Sequence, residues 1–189
     1  MKVAICIGHS RKVLGRTEGG AISIGGVTEH EFNSEVAGFL EEKLAKYGIK
    51  TAIFDVYGGS SYGSAMDDIA RKVRSFGADI AIELHFNASS SPHSKGYEFL
   101  CWHNSNGGKR LATLLLSEFG REFPAMTARG VKLCNDDSRG AGFLKKTHSV
   151  AVLAEPFFGS NEAEWKVFSQ SHERVAEAYA NAIAKYFGL

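Results

Sequence analysis

The stretch "VAICIGHS", residues 3–10, decides how the rest of the chain is read. Val3 to Ile7 is an unbroken apolar run that reads as a buried strand, and it ends abruptly in Gly8 and His9. Two explanations of that ending compete. Either Gly8 merely turns the chain and leaves His9 at the surface, or Gly8 lets the backbone approach something closely while His9 reaches into a site at the strand's carboxyl end.

Working outward, the same grammar recurs. Strand-like runs rich in apolar and β-branched residues stand near 2–8, 50–56, 79–86, 97–102 and 149–154, with a weaker candidate at 130–134. Helical spacing lies between several of them. In "NSEVAGFLEEKLAKYG", Val36, Phe39, Leu40, Leu44 and Tyr47 form one stripe, and Gly48 supplies the stop. "AMDDIARKVRSFG" repeats the pattern through Met66, Ile69, Val73 and Phe76, and longer helices are expected near 107–121 and 161–186. Strands alternating with helices predict an α/β sheet covered on both faces. The linkers around Ser10 to Val27, "YGGSSYGSA", "ASSSPHSKG" and "CNDDSRGAG" are long, polar and glycine-rich, and such loops usually border a functional site.

Composition narrows the classes. The 189 residues suit one globular domain, residues 1–189, large enough to fold without staples. With 22 basic against 21 acidic residues, a net charge of +1 gives no electrostatic reason to expect nucleic acid or an anionic membrane as partner. Cys6, Cys101 and Cys134 are widely spaced and contain no C-x-x-C, so they read as reduced thiols. No stretch approaches the roughly 18 apolar residues of a membrane span, so membrane insertion is not expected. The residues after Met1 lack the basic, apolar and small-residue regions of a secretory signal, which implies synthesis in the cytoplasm.

The polar residues gather at strand ends. "DIAIELHFN" carries His85 and Asn87 on one face near its carboxyl end, because strand side chains repeat every second residue. "SVAVLAEPFF" runs apolar and then delivers Glu155 before a proline. His9 follows its strand in the same way, so parallel strands would bring all three to one sheet edge, where open α/β folds place their sites. A fourth member starts a helix. In "TEHEFN", Thr28 and Glu31 have capping-box spacing, which makes Glu31 the structural acid. Glu29 shares the inward face with Phe32, Val36 and Leu40. Two histidines and a carboxylate, with a further glutamate nearby, are the parts of a catalytic zinc site.

Taken in order, "CIGHS", "TEHEFN", "IELHFNA" and "VLAEPFFGSN" resemble the zinc-dependent N-acetylmuramoyl-L-alanine amidases, whose catalytic domain covers essentially this whole length. The resemblance implies a single-domain α/β fold with a twisted, mixed, mostly parallel six-stranded sheet and helices on both faces. It implies one Zn2+ on His9, Glu29 and His85, with Glu155 as the catalytic acid/base. The substrate it implies is peptidoglycan, cut between N-acetylmuramic acid and L-alanine. "DSRGAGFLKK" resembles a segment lining the family's groove, which makes Arg139 a candidate substrate contact. Asn87 and Asn161 resemble the family's asparagines; both read as supports for loops, and Asn87 also as a candidate substrate contact.

Two features depart from the family. Glu83 stands where a small polar residue is usual, on the face of His85, and the common arginine after the second strand is replaced around "FDVYGG". His30, His93, His103, His148 and His172 lack partner motifs and read as ordinary histidines. Ser10 has no G-x-S-x-G elbow around it, so a serine nucleophile is not expected. Rival readings are another zinc amide hydrolase, such as a peptidase or deacylase, or a non-catalytic wall-binding module. A wall-cutting enzyme without a secretory signal is expected to reach its substrate as a phage-type lysin, or to be the catalytic domain of a secreted autolysin. The sequence leaves the oligomeric state open.

Overall fold

The computed structural model describes residues 1–13, 16–138 and 140–189, with the side chains of Lys12, Val13 and Arg16 left aside. In chain order the elements are β1 (Lys2–Ile7), β2 (Lys12–Val13), β3 (Arg16–Thr17), α1 (Glu29–Lys46), β4 (Lys50–Phe54), α2 (Tyr62–Phe76) and β5 (Ile80–Leu84). They continue with β6 (Tyr97–Trp102), α3 (Asn106–Glu122), β7 (Ala128–Cys134), α4 (Ala141–Lys146), β8 (Val150–Glu155), α5 (Glu162–Phe168) and α6 (His172–Phe187). Six strands form one sheet in the order β4-β1-β5-β8-β6-β7, and β2 pairs with β3 in a small ribbon. Strands β4, β1, β5 and β8 are parallel neighbours. β6 runs antiparallel to β8 and parallel to β7, so the sheet is mixed.

Both faces are covered, as the unbroken apolar strands require. Alternation sends Val3, Ile5 and Ile7 of β1, with Ile80 and Ile82 of β5, into a large core shared with α1, α3 and α6. Ala4, Cys6, Ala81, Ala151 and Leu153 face the other way, into a smaller core with α2 and α4. The side chains on that second face are mostly small. Each fully buried Ile, Leu or Val contributes about 1.5–3 kcal/mol, so β1, with five buried residues in a row, anchors the sheet centre.

Helix α1 begins as its spacing predicts. Thr28 is the N-cap, Glu31 N–H donates to Thr28 Oγ1 (3.2 Å), and Glu31 Oε2 accepts from Thr28 N–H (2.8 Å). The buried stripe is Glu29, Phe32, Val36, Leu40 and Leu44; Tyr47, expected on it, is exposed at the helix end. The helix expected over 161–186 is two. The segment Ser169–Ser171 interrupts it, and Ser171 Oγ donates to the Val167 carbonyl across the bend. The break lets Phe168 stack on Phe157 (ring centroids 4.5 Å apart) while α6 turns Val175 and Tyr179 into the same core. The three cysteines are free and buried. Among the described residues, no helix is long and apolar enough to cross a membrane.

Candidate active site

Three parallel strands end side by side. Gly8 N–H, just past β1, donates to the Leu84 carbonyl (2.9 Å), and His85 N–H, just past β5, donates to the Ala154 carbonyl (3.0 Å). His9, His85 and Glu155 therefore emerge at one edge of the sheet. All three line a cleft of about 700 Å³ together with Glu29 and Glu83, and Tyr62, Met66, Leu100 and Leu153 form its apolar side. Each of the four long linkers contributes to the wall, through Arg11 and Glu18, Tyr57, Ala88 and Gly140.

The glycine at the end of "VAICIGHS" packs against a site residue. A Cβ on Gly8 would lie 2.3 Å from His85 Cε1, so only glycine lets the imidazole rest there. His9 then takes φ of 56°, the one positive value among described non-glycine residues. That left-handed turn brings its ring edge-on to His85, with centroids 5.1 Å apart. Gly20 closes the other side, since a Cβ there would meet His9 Cδ2 at 2.6 Å and Glu29 Oε2 at 2.7 Å. Gly20 was not foreseen. It is one glycine in a glycine-rich loop, and its spacing carries no signal.

Glu29 joins the two histidines. It is 3% exposed, at the first turn of α1, with Oε1 accepting from His85 Nδ1 (2.7 Å) and Oε2 lying 3.3 Å from His9 Nε2. Backbone N–H groups of Phe86 (3.2 Å) and Ala21 (3.1 Å) also donate to it. Burial alone would raise its pKa; the His85 hydrogen bond, the charges of His85 and His9, and the Ala21 N–H outweigh that and hold it low. His85 is held in its charged form well above the ordinary histidine range. Burial opposes this, and the flanking carboxylates of Glu29 and Glu83 prevail. Glu31, two residues from Glu29, is fully engaged in the cap.

Glu155 is different in kind. Its Oε2 is shut off from solvent and has no hydrogen-bond partner among the described residues. Burial pushes its pKa up to about 8; the His85 charge opposes this, and Glu29, Glu98 and Glu83 add to it. A carboxyl that changes protonation near neutrality beside a cleft suits proton transfer.

The other candidates fall as follows. Asn87 Nδ2 donates to Glu98 Oε1 (3.1 Å), and Asn87 exchanges backbone bonds with Phe157 and Gly159, tying the loop after β5 to the loop after β8. Asn161 caps α5 and donates to the carbonyls of Pro92 and Ser94. Arg139 lies outside the described residues. The Ser10 hydroxyl donates to the Ile7 carbonyl (2.6 Å) and is fully buried, a structural role.

A family profile for N-acetylmuramoyl-L-alanine amidases matches residues 3–185. The chain belongs to that family. It is an amidase of peptidoglycan, hydrolysing the bond between N-acetylmuramic acid and L-alanine. No curated protein matches it in sequence. Among solved structures, the amidase resembles the catalytic domain of the CD27L endolysin targeting Clostridia difficile, with 27% identity over 98% of this chain and 97% of that one and a TM-score of 0.80. The CwlD amidase of Clostridioides difficile, solved in complex with the GerS lipoprotein, shares the fold at 20% identity, 98% coverage of each chain and a TM-score of 0.84. The amidase AmiC2 of Nostoc punctiforme does so at 18% identity, covering 100% of this chain and 98% of its own, with a TM-score of 0.82.

Proposed function

We propose that the amidase works as a zinc metallohydrolase, with His9, Glu29 and His85 holding one ion and Glu155 carrying the proton. The observation behind this is the Glu29 carboxylate lying between two imidazoles, with ligand atoms of all three residues within 4.8 Å of one another. Two histidines and one glutamate form a donor set suited to catalytic zinc. A dication held by these three side chains would balance the negative charge that Glu29 brings between the two imidazoles. When bound, the ion would polarise the scissile carbonyl and lower the pKa of water to about 7.

The chain's own residues supply the rest. The cleft receives the muramoyl peptide with its scissile amide toward the sheet edge. Glu155, ionised at the moment of attack, accepts a proton from the attacking water. It then delivers that proton to the departing amino group of L-alanine, so the carboxylate is regenerated in each turnover. A cation held beside it would favour the ionised form of Glu155 and so bring its raised pKa down toward neutrality, which would suit both halves of the transfer. Asn87 and Asn161 keep the flanking loops in place through the bonds described above.

The cell wall is reached, in this reading, after release from the cell in the manner of a phage lysin; the likeness to an endolysin catalytic domain supports this. The test is digestion of purified peptidoglycan with mass analysis of the products and zinc analysis of the protein. Free lactyl groups paired with new L-alanine amino termini, lost on chelation and restored by zinc, are expected. Cleavage within the peptide stem would instead indicate a peptidase. Intact wall with bound protein would indicate a binding module.

A further inference from the structure

The face of β5 that carries His85 also carries Glu83, a carboxylate only 3% exposed at the inner wall of the cleft. A buried carboxylate is costly unless it is paired, and two groups face this one. Tyr57, itself 1% exposed, donates its hydroxyl to Glu83 Oε1 (3.3 Å). Glu83 Oε2 lies 3.4 Å from His85 Nε2, within ion-pair distance, and that nitrogen is sealed from solvent and makes no hydrogen bond among the described residues. The imidazole thus stands between two carboxylates, Glu29 at Nδ1 and Glu83 at Nε2. A Cβ on Gly8 would overlap the ring, so the glycine leaves the ring its place and these polar partners orient it.

We propose that Glu83 is a positioning residue. Its carboxylate accepts a hydrogen bond from the Nε2–H of His85, Tyr57 steadies it, and the ring is thereby held with Nδ1 turned toward Glu29 and the cleft. The inference rests on the metal site proposed above. A ligating histidine usually donates its second N–H to a carboxylate or carbonyl, which fixes its tautomer and makes the ligating nitrogen more basic. Glu83 is placed to do this and not to ligate: it faces the ring nitrogen away from Glu29 and stands outside the three-residue cluster. The phenol of Tyr57 is pushed well above its ordinary range by burial and by Glu83, so it remains a donor.

The test is a zinc titration against a competing chelator for the parent, Glu83→Gln, Glu83→Ala and, as a control, His85→Ala. It is joined to visible absorption and paramagnetic proton spectra of the cobalt(II) forms. Glu83→Ala is expected to weaken zinc binding by about 10- to 100-fold, the usual loss when such a partner is removed. The cobalt spectra should shift, and the slowly exchanging N–H resonance of His85 should disappear. Glu83→Gln, which still offers an acceptor oxygen, should fall between the two and decides the matter if the alanine variant does not fold. Unchanged affinity in both variants, with a parent that binds zinc, would overturn the inference alone. So would weaker binding with cobalt spectra identical to the parent's, which would mark a purely structural role. Loss of zinc as complete as in His85→Ala would make Glu83 a ligand and likewise overturn it. A parent that takes up no zinc would overturn the metal-site reading first.

Discussion

Replacing Gly8 by alanine adds one methyl group at the tightest point of the site, and the consequence can be worked from distances. The added Cβ would lie 2.3 Å from His85 Cε1, 2.5 Å from Nε2 and 2.6 Å from Nδ1, where ordinary contact begins at 3.4 Å. Relief therefore requires a movement of about 1 Å (3.4 − 2.3 = 1.1) by the ring or by the strand end. The strand end resists, because Gly8 N–H is bonded to the Leu84 carbonyl at 2.9 Å. Gly8 does not have positive φ, so the effect is steric contact and not backbone strain. The ring must move, and it carries the 2.7 Å bond to Glu29 with it. A misplacement of about 1 Å at a reacting centre costs on the order of 10²-fold in rate, and overpacking of this kind costs about 1–3 kcal/mol of stability. The assay is release of L-alanine amino termini from peptidoglycan, run beside zinc competition and thermal melting. A variant that kept the parent's rate and zinc affinity would refute the reasoning, because the ring would then not be pinned by Gly8.

Glu29→Ala should abolish zinc binding and activity, while Glu31→Ala should keep both and melt at a lower temperature; metal analysis and calorimetry distinguish them. The Glu31 effect has a defined pH window. Hydrogen bonds from the Thr28 N–H and hydroxyl lower its pKa from 4.5, so its stabilisation is fully present above that value and is lost as pH falls through the lowered one. The melting gap between parent and Glu31→Ala should accordingly close in acid. Glu155→Gln should retain zinc and fold while activity falls by about 10²-fold or more, as expected on losing a general acid/base. In the parent, the acid limb of kcat/KM should fall between the ordinary carboxylate value of 4.5 and the raised value of about 8, and it should vanish in Glu155→Gln. A limb that persisted in the glutamine variant would assign it to another group.

Much of this protein could be read from local chemistry. Apolar runs of strand length, separated by amphipathic stretches, specified a two-faced sheet, because a strand buried on both sides has no polar face to alternate. The capping box separated Glu29 from Glu31 without coordinates, since a helix start fixes which side chain bonds the backbone and which turns inward. The ends of β1, β5 and β8 delivered His9, His85 and Glu155 to one edge as soon as the strands were parallel. Other features depended on residues distant in sequence. The reversal of β6 and β7 follows from strand pairing across the whole sheet, which no single segment encodes. The helix break at Ser169–Ser171 follows from where Phe168 must stack, a demand set by Phe157 and Phe119. The close approach of Gly20 to His9 and Glu29, and the pairing of Tyr57 with Glu83 behind His85, join loops and strands far apart in the chain. Backbone periodicity and capping act within a few residues and so are written locally, whereas close contact and the satisfaction of buried polar groups are properties of assembled surfaces.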